Sequence, residues 1–505
     1  MTKTTFDANG KNRQAAPLAD LRSILQWLDL PPRLMPAAEL VLLRSHLESL
    51  RAAAGTTQQR ARALERLYTR STTVIADLLP TLTSDLALPV PRNARRLVRN
   101  VLDLLQTLAD ETLAPLAEEG PGPGPRQSPQ LALARGLHVL AQQLMVSHMI
   151  ASPVPLGAWQ RLHQTYATAQ RLQLHAAAPK GGSRSLQNVY HAAVLLGCAQ
   201  PASMTPREVL FLAACFERFA DQLEPLVATA TAAPGNFWID PARDLPALSS
   251  LRKQPPETAP LHGFSCTRLC LLLNAQIAQL NAGRPPQELD LPDFAATPAG
   301  RGVLGRLAAR WSDSGKRRFL RRRQSQRMLL SAGVDRIWQL CSQGEAANAV
   351  VSTWMISNES PDGYAVMHVS GNTGVLSVGD VAAVRAEAEQ NWQICLVRWA
   401  LSENPEHLEL GLQILAPTAV PAILAQRSDN AGTEYLRVLI LPEIPNLRSG
   451  QSLVVAAGAL PKERTKMLLI VEGKNLSVRE VNSVSVDEQT GSVEILSIEP
   501  DQNPF

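Results

Sequence analysis

The sequence predicts a multi-domain α + β protein, in which an N-terminal all-α helical bundle or solenoid precedes a C-terminal antiparallel β-barrel with a further β module. Three observations lead to this prediction. The chain has 505 residues, too many for a single hydrophobic core. Apolar residues recur at helical spacing up to about residue 231. After about residue 313, short runs rich in Val, Ile and Trp alternate with turn residues, which is typical of strands.

These changes of pattern divide the chain into regions. The run EEGPGPGPRQSP alternates Gly with Pro, which neither a helix nor a central strand tolerates, and so predicts an exposed loop. The predicted regions are, in chain order, a disordered tail (1–15), a helical domain (16–231) with the loop 118–129, a Pro-rich connector (232–262), further helices (263–312), a small β-barrel (313–420) and a C-terminal β extension or second barrel (421–505).

Within the helical domain, Thr205, Pro206 and Glu208 form the signature of a helix start with a capping box. In the barrel region, six apolar runs predict six short antiparallel strands. They are VDRIWQLC, NAVVSTWMISNES, YAVMHVS, VAAVRAEAE, WQICLVRWAL and LELGLQIL.

Composition excludes several classes of protein. The N-terminus has no apolar core of a signal peptide, and no run of about 18 apolar residues predicts a transmembrane segment. We therefore expect a cytoplasmic protein. Six scattered cysteines in apolar segments predict reduced, buried thiols, and neither a metal nor a cofactor is expected. The chain contains no Walker A loop, GxSxG elbow, metalloprotease helix or dinucleotide fingerprint, so we do not expect an enzyme.

The formal net charge is only +4, so any electrostatic function must be local. The stretch KRRFLRRRQSQRM, residues 316–328, carries seven basic side chains and no acid. A nucleic acid, a membrane surface, a phosphate ligand and plain solvation are all compatible with this stretch alone. A smaller basic run, Arg95, Arg96 and Arg99, predicts a solvated helix face.

A second motif, SNESPDG at residues 357–363, narrows the choice. It contains Asn358-x-Ser360-x-x-Gly363, and it follows Arg322-Arg323-x-x-x-Arg327. These two patterns, in this order and ahead of small strands, resemble the PilZ family of bacterial cyclic di-GMP receptors, which is marked by RxxxR and then [D/N]xSxxG. The runs LSVGD, LVRWAL and LELGLQIL resemble later elements of that family, and the resemblance covers about residues 317–420.

The resemblance implies a PilZ-like β-barrel and a set of ligand-binding residues: Arg322, Arg323, Arg327, Asn358, Ser360 and Gly363. The chemistry agrees, because guanidinium groups bind phosphate oxygens and the acceptor edge of guanine, while Asn and Ser suit a base edge. We expect Gly363 to take a positive φ in a sharp turn. Arg317, Arg318 and Arg321 match no motif position. Trp399 could stack on a base, but we expect it to fill the barrel core.

The main hypothesis is therefore a cytoplasmic second-messenger receptor. Cyclic di-GMP would order a flexible arginine segment against the barrel and shift the helical domain, which would relay the signal to a protein partner. Family resemblance implies control of motility, pili or surface attachment, as in biofilm formation. The alternative is an RNA-binding or scaffold protein that uses residues 316–327 without binding a second messenger. RNA binding predicts aromatics between the basic residues, and only Phe319 is present, so we do not expect a nucleic-acid partner. GGDEF-like and EAL-like signatures of cyclic di-GMP enzymes are absent from the sequence.

Overall fold

The structure is a computed structural model. The residues that it describes are 21–32, 35–50, 52–83, 87–117, 128–226, 232–256, 261–312, 319–343, 350–387, 389–404, 406–427, 433–444, 450–460, 467–472 and 476–500. The tail predicted at 1–15 and nearly all of the loop predicted at 118–129 lie outside these ranges, as do Lys316, Arg317 and Arg318.

Helices dominate the first half of the described chain, as the apolar periodicity predicts. The helices are α1 (Leu21–Asp29), α2 (Pro36–Leu50), α3 (Thr57–Thr83), α4 (Arg92–Ala117), α5 (Pro129–Met149), α6 (Ala158–Arg171), α7 (Leu186–Cys198) and α8 (Pro206–Phe219). Their apolar stripes meet in one core around α5, whose Leu137 and Leu140 are almost fully buried. The capping box that starts α8 is confirmed: the Thr205 hydroxyl accepts from the Glu208 backbone, and Glu208 accepts from the Thr205 backbone.

The segment predicted as a connector is more ordered than a linker. A four-stranded sheet in the order β1-β4-β2-β3 spans it. The strands are β1 (Glu224–Leu226), β2 (Asn236–Ile239), β3 (Leu248–Ser249) and β4 (His262–Ser265). All four residues of β2 are buried, and Phe237 and Ile239 belong to the large apolar core that includes the helices. Two further helices follow, α9 (Thr267–Asn281) and α10 (Pro298–Ser312).

A closed six-stranded barrel comes next, in the order β10-β7-β6-β5-β8-β9. The strands are β5 (Arg322–Ala332), β6 (Ser352–Ser360), β7 (Gly363–Ser370), β8 (Val381–Ala386), β9 (Gln393–Asn404) and β10 (His407–Ala416). All neighbours are antiparallel. We call it the first barrel. Its interior is filled by side chains such as Met328, Trp354, Val366 and Leu410, each at most 1% exposed.

Two predictions for this barrel are wrong. VDRIWQLC is helix α11 (Val334–Gln343) and not a strand. Gly333, at φ 99°, ends β5, and Ile337 and Leu340 are then buried three residues apart on one helix face. The sixth strand is instead β5, the arginine segment, which was predicted to be flexible. Its later residues, from Met328 onwards, are mostly apolar and pair with β6 and β8, so the segment continues a ladder.

The C-terminal module is a second barrel, also closed and six-stranded, in the order β11-β12-β13-β16-β15-β14. Its strands are β11 (Val420–Arg427), β12 (Thr433–Leu441), β13 (Gln451–Ala456), β14 (Met467–Glu472), β15 (Leu476–Gln489) and β16 (Val493–Pro500). Helix α11 lies between the barrels. Its Ile337 is fully buried in an apolar cluster with Val381 and Ile394 of the first barrel and with Leu439 and Val454 of the second.

Side chains also join the barrels to the helices and to each other. Arg306 of α10 donates to Glu208 at 2.6 Å and to the backbone of Gln489 at 2.7 Å. Arg398 of β9 forms an ion pair with Glu488 at 2.9 Å.

Within the described residues, no helix combines the length and the apolar character needed to cross a membrane.

Candidate ligand-binding site

The two sequence motifs lie side by side on the first barrel. Strand β5 carries the arginines and pairs antiparallel with β6, which carries Asn358 and Ser360. The register places Arg323 opposite Asn358 and Arg322 opposite Glu359. Cross-strand partners point to the same face of a sheet, so Arg323 and Asn358 are side-by-side neighbours. Two motifs separated by about thirty residues in sequence thus form one surface.

The pairing continues across the barrel as a single row. Asn358 is opposite Ala365 of β7, Ala365 is opposite Gly411 of β10, and Gly411 is opposite Trp399 of β9. We call Arg323, Asn358, Ala365, Gly411 and Trp399 the outer row. Its members point away from the core, because the chain neighbours Val366, Ala400 and Leu410 fill the interior. The outer row joins a cation, an amide, two small residues and an indole.

The expectation that Trp399 fills the barrel core is wrong. It is half-buried on the outer face, and its indole lies over Gly411. A Cβ added to Gly411 would lie 1.7 Å from the indole Nε1, so only glycine leaves room for the ring in this position. The indole therefore forms one end of the row, and Arg323 forms the other.

The arginines are exposed and available. Arg322, Arg323 and Arg327 are all solvent-exposed, and among the described residues none of the three forms an ion pair. Arg327 lies opposite Met355, next to the buried Met328, and so points outward like Arg323. An irregularity in β5 between Arg323 and Gln326 separates Arg327 from the outer row. Two unpaired guanidinium groups on one face form a local positive surface.

Arg322 differs from the other two. Adjacent strand residues point to opposite faces, so Arg322 is directed away from the outer row and towards Glu359 and Tyr364 at the barrel end. The Tyr364 hydroxyl donates to Gln393 Oε1 at 2.9 Å, and burial raises the pKa of this phenol to about 12. Of the six predicted residues, the structure places Arg323, Arg327 and Asn358 on the outer face but not Arg322.

Ser360 and Gly363 form the turn between β6 and β7. Ser360 Oγ donates to Asp362 Oδ1 at 2.6 Å and lies 3.1 Å from the Gly363 carbonyl, so this hydroxyl stabilises the turn. The prediction of a positive φ for Gly363 is wrong, since its φ lies outside the left-handed region. Glycine is needed here for a different reason. A Cβ at this position would lie 1.9 Å from the Leu412 carbonyl oxygen, because β10 passes directly over the turn.

Sequence reasoning missed Ala365 and Gly411 as members of this surface. Both are defined by cross-strand register, which a single sequence does not reveal. The alternation of Gly411 with buried Leu410 and Leu412 was the only available signal, since an interior glycine in a strand marks close approach of another group.

Comparison with known proteins adds independent information. Two family models match the chain: "Cyclic-di-GMP receptor FimW, N-terminal domain" over residues 22–229, and "Cyclic-di-GMP receptor FimW, middle PilZ domain" over residues 339–421. The second match covers the NxSxxG motif but begins after the arginine motif of β5.

One curated relative is the cyclic-di-GMP receptor FimW of Pseudomonas aeruginosa, which is 23% identical over 394 residues. The alignment covers 62% of this chain and 63% of the relative, which is less than two thirds of the relative's length.

Proposed function

Because the chain belongs to the PilZ-domain family of cyclic di-GMP receptors, we propose that it is a cytoplasmic receptor that binds cyclic di-GMP on the outer face of its first barrel. The observation that carries this proposal is the register of β5 against β6, which makes Arg323 and Asn358 direct neighbours. Without that register, the two motifs would be separate surface features.

The outer row suits the chemistry of this ligand. Cyclic di-GMP carries two phosphodiester charges and two guanines. Arg323 and Arg327 can each donate two parallel hydrogen bonds to phosphate oxygens, or to O6 and N7 of guanine. Asn358 can pair with a base edge, and the indole of Trp399 offers a stacking surface at the far end of the row. Arg322 and Ser360 complete the proposed set, Arg322 from the barrel end and Ser360 by fixing the turn.

A route from the ligand to the helical region runs along β9. Trp399 is three residues from Ser402, whose backbone N–H donates to the Ala151 carbonyl at 2.8 Å. Arg95 of α4 donates to the Ser402 carbonyl at 3.0 Å and to the Ser402 hydroxyl. Arg95 is therefore half-buried at this joint, which corrects the expectation of a solvated face for that residue. We propose that ligand binding biases this joint, and that the helical region relays the change to a protein partner of motility, pili or surface attachment.

The test is isothermal titration of cyclic di-GMP into the full-length protein and two variants. Arg323→Ala removes one or two charge-assisted hydrogen bonds, each worth about 1.5–3 kcal/mol, so affinity should fall about ten- to a hundredfold. Arg321→Ala is the matched control, because Arg321 is an equally exposed arginine two residues away that matches no motif position. Its affinity should stay within about twofold of the parent, as expected for a charge that only raises the local potential.

Equal losses in the two variants would show that general positive charge, and not the outer row, attracts the ligand. Absence of binding in the parent protein would overturn the proposal. The alternative function would then be tested with single-stranded RNA over a range of salt concentrations, because binding through a basic segment weakens steeply as salt rises.

A further inference from the structure

Beside the outer row, a parallel row of residues crosses the same face of the first barrel. It runs from Arg327 of β5 through Met355 of β6, Met367 of β7 and Glu409 of β10 to Leu401 of β9. We call these five residues the methionine row. On β7, β9 and β10 its members lie two residues from those of the outer row, which places the rows about 7 Å apart and gives them the same orientation. The two rows therefore form one surface.

Glu409 is the one acid in the outer row and the methionine row. Its chain neighbours Leu408 and Leu410 are buried in the barrel core, so the Glu409 side chain points outward and is 34% exposed. His407 Nε2 lies 3.2 Å from Oε1 of Glu409. No other hydrogen bond to this carboxylate occurs among the residues that the structure describes. His407 thus holds the carboxylate in place while leaving it accessible to a ligand.

A carboxylate on a face that is proposed to bind an anion requires an explanation. Arg323 and Arg327 lie on β5, and β10 is three strands away. With about 4.8 Å between neighbouring strands, Glu409 is about 14 Å from the arginines along the barrel surface. That distance exceeds the Debye length of about 8 Å at physiological ionic strength, so Glu409 repels a phosphate held by the arginines only weakly. The face is therefore cationic at its β5 end and anionic at its β10 end.

Glu409 lies beside the proposed stacking surface. The indole of Trp399 covers Gly411, and Glu409 is two residues from Gly411 on the same strand. A base that stacks on the outer side of this indole would have the Glu409 carboxylate near its edge, about 7 Å along the strand. Trp399 thus offers a surface for the face of a base, and Glu409 offers an acceptor for its edge. Proteins that read unstacked bases use both kinds of contact.

The Watson–Crick edge of guanine matches a carboxylate. Guanine presents N1–H and the N2 amino group side by side, and the two oxygens of a carboxylate can accept from both. A carboxylate has about four acceptor positions, so the bond from His407 leaves room for this pair. Adenine carries a lone pair on N1 and no amino group at C2, and would therefore meet the carboxylate with an acceptor. A carboxylate distinguishes the two purines, whereas stacking on an indole does not.

We propose that Glu409 is a specificity-determining residue, which accepts hydrogen bonds from N1–H and the N2 amino group of a guanine stacked on Trp399. The inference rests on the proposed function, because it assigns a base contact within the same ligand site. The arginines at the β5 end hold phosphate, and the carboxylate at the β10 end selects guanine over adenine. Neither sequence motif contains this residue.

The test is isothermal titration of three ligands into the full-length protein. They are cyclic di-GMP, cyclic di-AMP and the inosine analogue, which is cyclic di-GMP without its two N2 amino groups. The inosine analogue should bind about tenfold more weakly than cyclic di-GMP, because it lacks a charge-assisted hydrogen bond, and cyclic di-AMP should bind more weakly still. Equal affinity for cyclic di-GMP and the inosine analogue would overturn the assignment. Absence of cyclic di-GMP binding would overturn the proposed function itself.

A variant identifies the residue responsible. Glu409→Gln keeps the size of the side chain and removes its charge, so cyclic di-GMP affinity should fall about tenfold and the penalty for the inosine analogue should shrink. Glu403→Gln is the matched control, because it removes the same charge from an exposed glutamate near the end of β9. Its affinity for cyclic di-GMP should stay within about twofold of the parent.

The sign of the change separates this role from simple repulsion. If Glu409 only repelled anions, Glu409→Gln would bind all three ligands more tightly than the parent does. Unchanged or tighter binding of cyclic di-GMP by Glu409→Gln would overturn the inference, while binding by the parent would still support the receptor function. Equal losses in Glu409→Gln and Glu403→Gln would also overturn it, since they would show an effect of overall charge.

Discussion

The two barrels share a fold and differ in what they present to solvent. Each is a closed, antiparallel, six-stranded barrel. In the first, the outer row runs from Arg323 through Asn358 and two small residues to Trp399. The second barrel has a similar row, in which Tyr435 is followed by Ala425, Leu468 and Glu480 on successive strands. Each row has an aromatic residue at one end, Trp399 or Tyr435, and a small residue beside it. At the other end the first barrel has an arginine, Arg323, and the second has a carboxylate, Glu480.

This difference shows where the proposed specificity lies. A barrel provides a curved surface, and the identity of a few outward residues decides whether an anion is attracted or repelled. Glu480 would repel a phosphodiester, whereas Arg323 would bind it. We therefore expect cyclic di-GMP on the first barrel only.

The largest expected effect comes from a glycine-to-alanine substitution at a hairpin turn. It compares how closely the neighbouring atoms pack against that turn in each barrel. Gly363→Ala would place a Cβ 1.9 Å from the Leu412 carbonyl of the adjacent strand, so the free energy of unfolding should fall by about 3 kcal/mol or more. Gly491, in the β15–β16 turn of the second barrel, has nothing within 4 Å of its own added Cβ. Urea titration of both variants measures this free energy, and Gly491→Ala should leave it unchanged. Similar losses at both positions would contradict the close approach at Gly363.

The next effect concerns the joint between the barrels. Asp380 is 8% exposed, accepts from the Ser377 backbone at 2.7 Å and is bonded to Ser492 of the second barrel. Burial raises its pKa from 3.8 to about 6. A raised carboxyl pKa means that the folded state binds the proton more tightly than the unfolded state does. Stability should therefore fall as pH rises from about 4 to about 6, by about 2–3 kcal/mol for this group.

Asp380→Asn isolates that contribution, because the amide does not titrate. Urea titrations of the parent and the variant at several pH values give the difference in unfolding free energy, from which the other titrating groups largely cancel. The parent should lose stability relative to the variant across this window. A difference that is independent of pH would show that folding does not raise the pKa of this carboxyl.

The smallest effect compares the aromatic residues of the two rows. Trp399→Ala removes a proposed stacking surface worth about 1 kcal/mol or more, so affinity for cyclic di-GMP should fall about fivefold. Trp399→Phe keeps a ring and should retain most of the affinity. Tyr435→Ala, in the second barrel, should have no effect, because its row lacks the arginine and the amide. A loss in Tyr435→Ala would place ligand on the second barrel.

Much of this organisation was predictable from local sequence. The change from helical to strand periodicity near residue 313, the capping box at Thr205 and the two ligand motifs are all local patterns. The identity of α11 was not predicted, because VDRIWQLC is short and apolar, and such runs fit both a strand and a helix. The outer row could not be predicted either, since it depends on how β6, β7, β9 and β10 are aligned. Gly363 shows the same limit: the sequence identifies a necessary glycine, but only the neighbouring strand explains it.

Helix α11 makes the two barrels inseparable. Its Ile337 contributes to a core that neither barrel contains alone, since Val381 of the first barrel and Leu439 of the second belong to the same buried cluster. A fragment that ended at residue 420 would leave this apolar surface facing water, a liability for solubility as well as for folding. We therefore expect the two barrels to unfold together as one cooperative unit. The minimal fragment for biophysical work extends from the arginine strand to β16, and the second barrel serves as the structural support of the first.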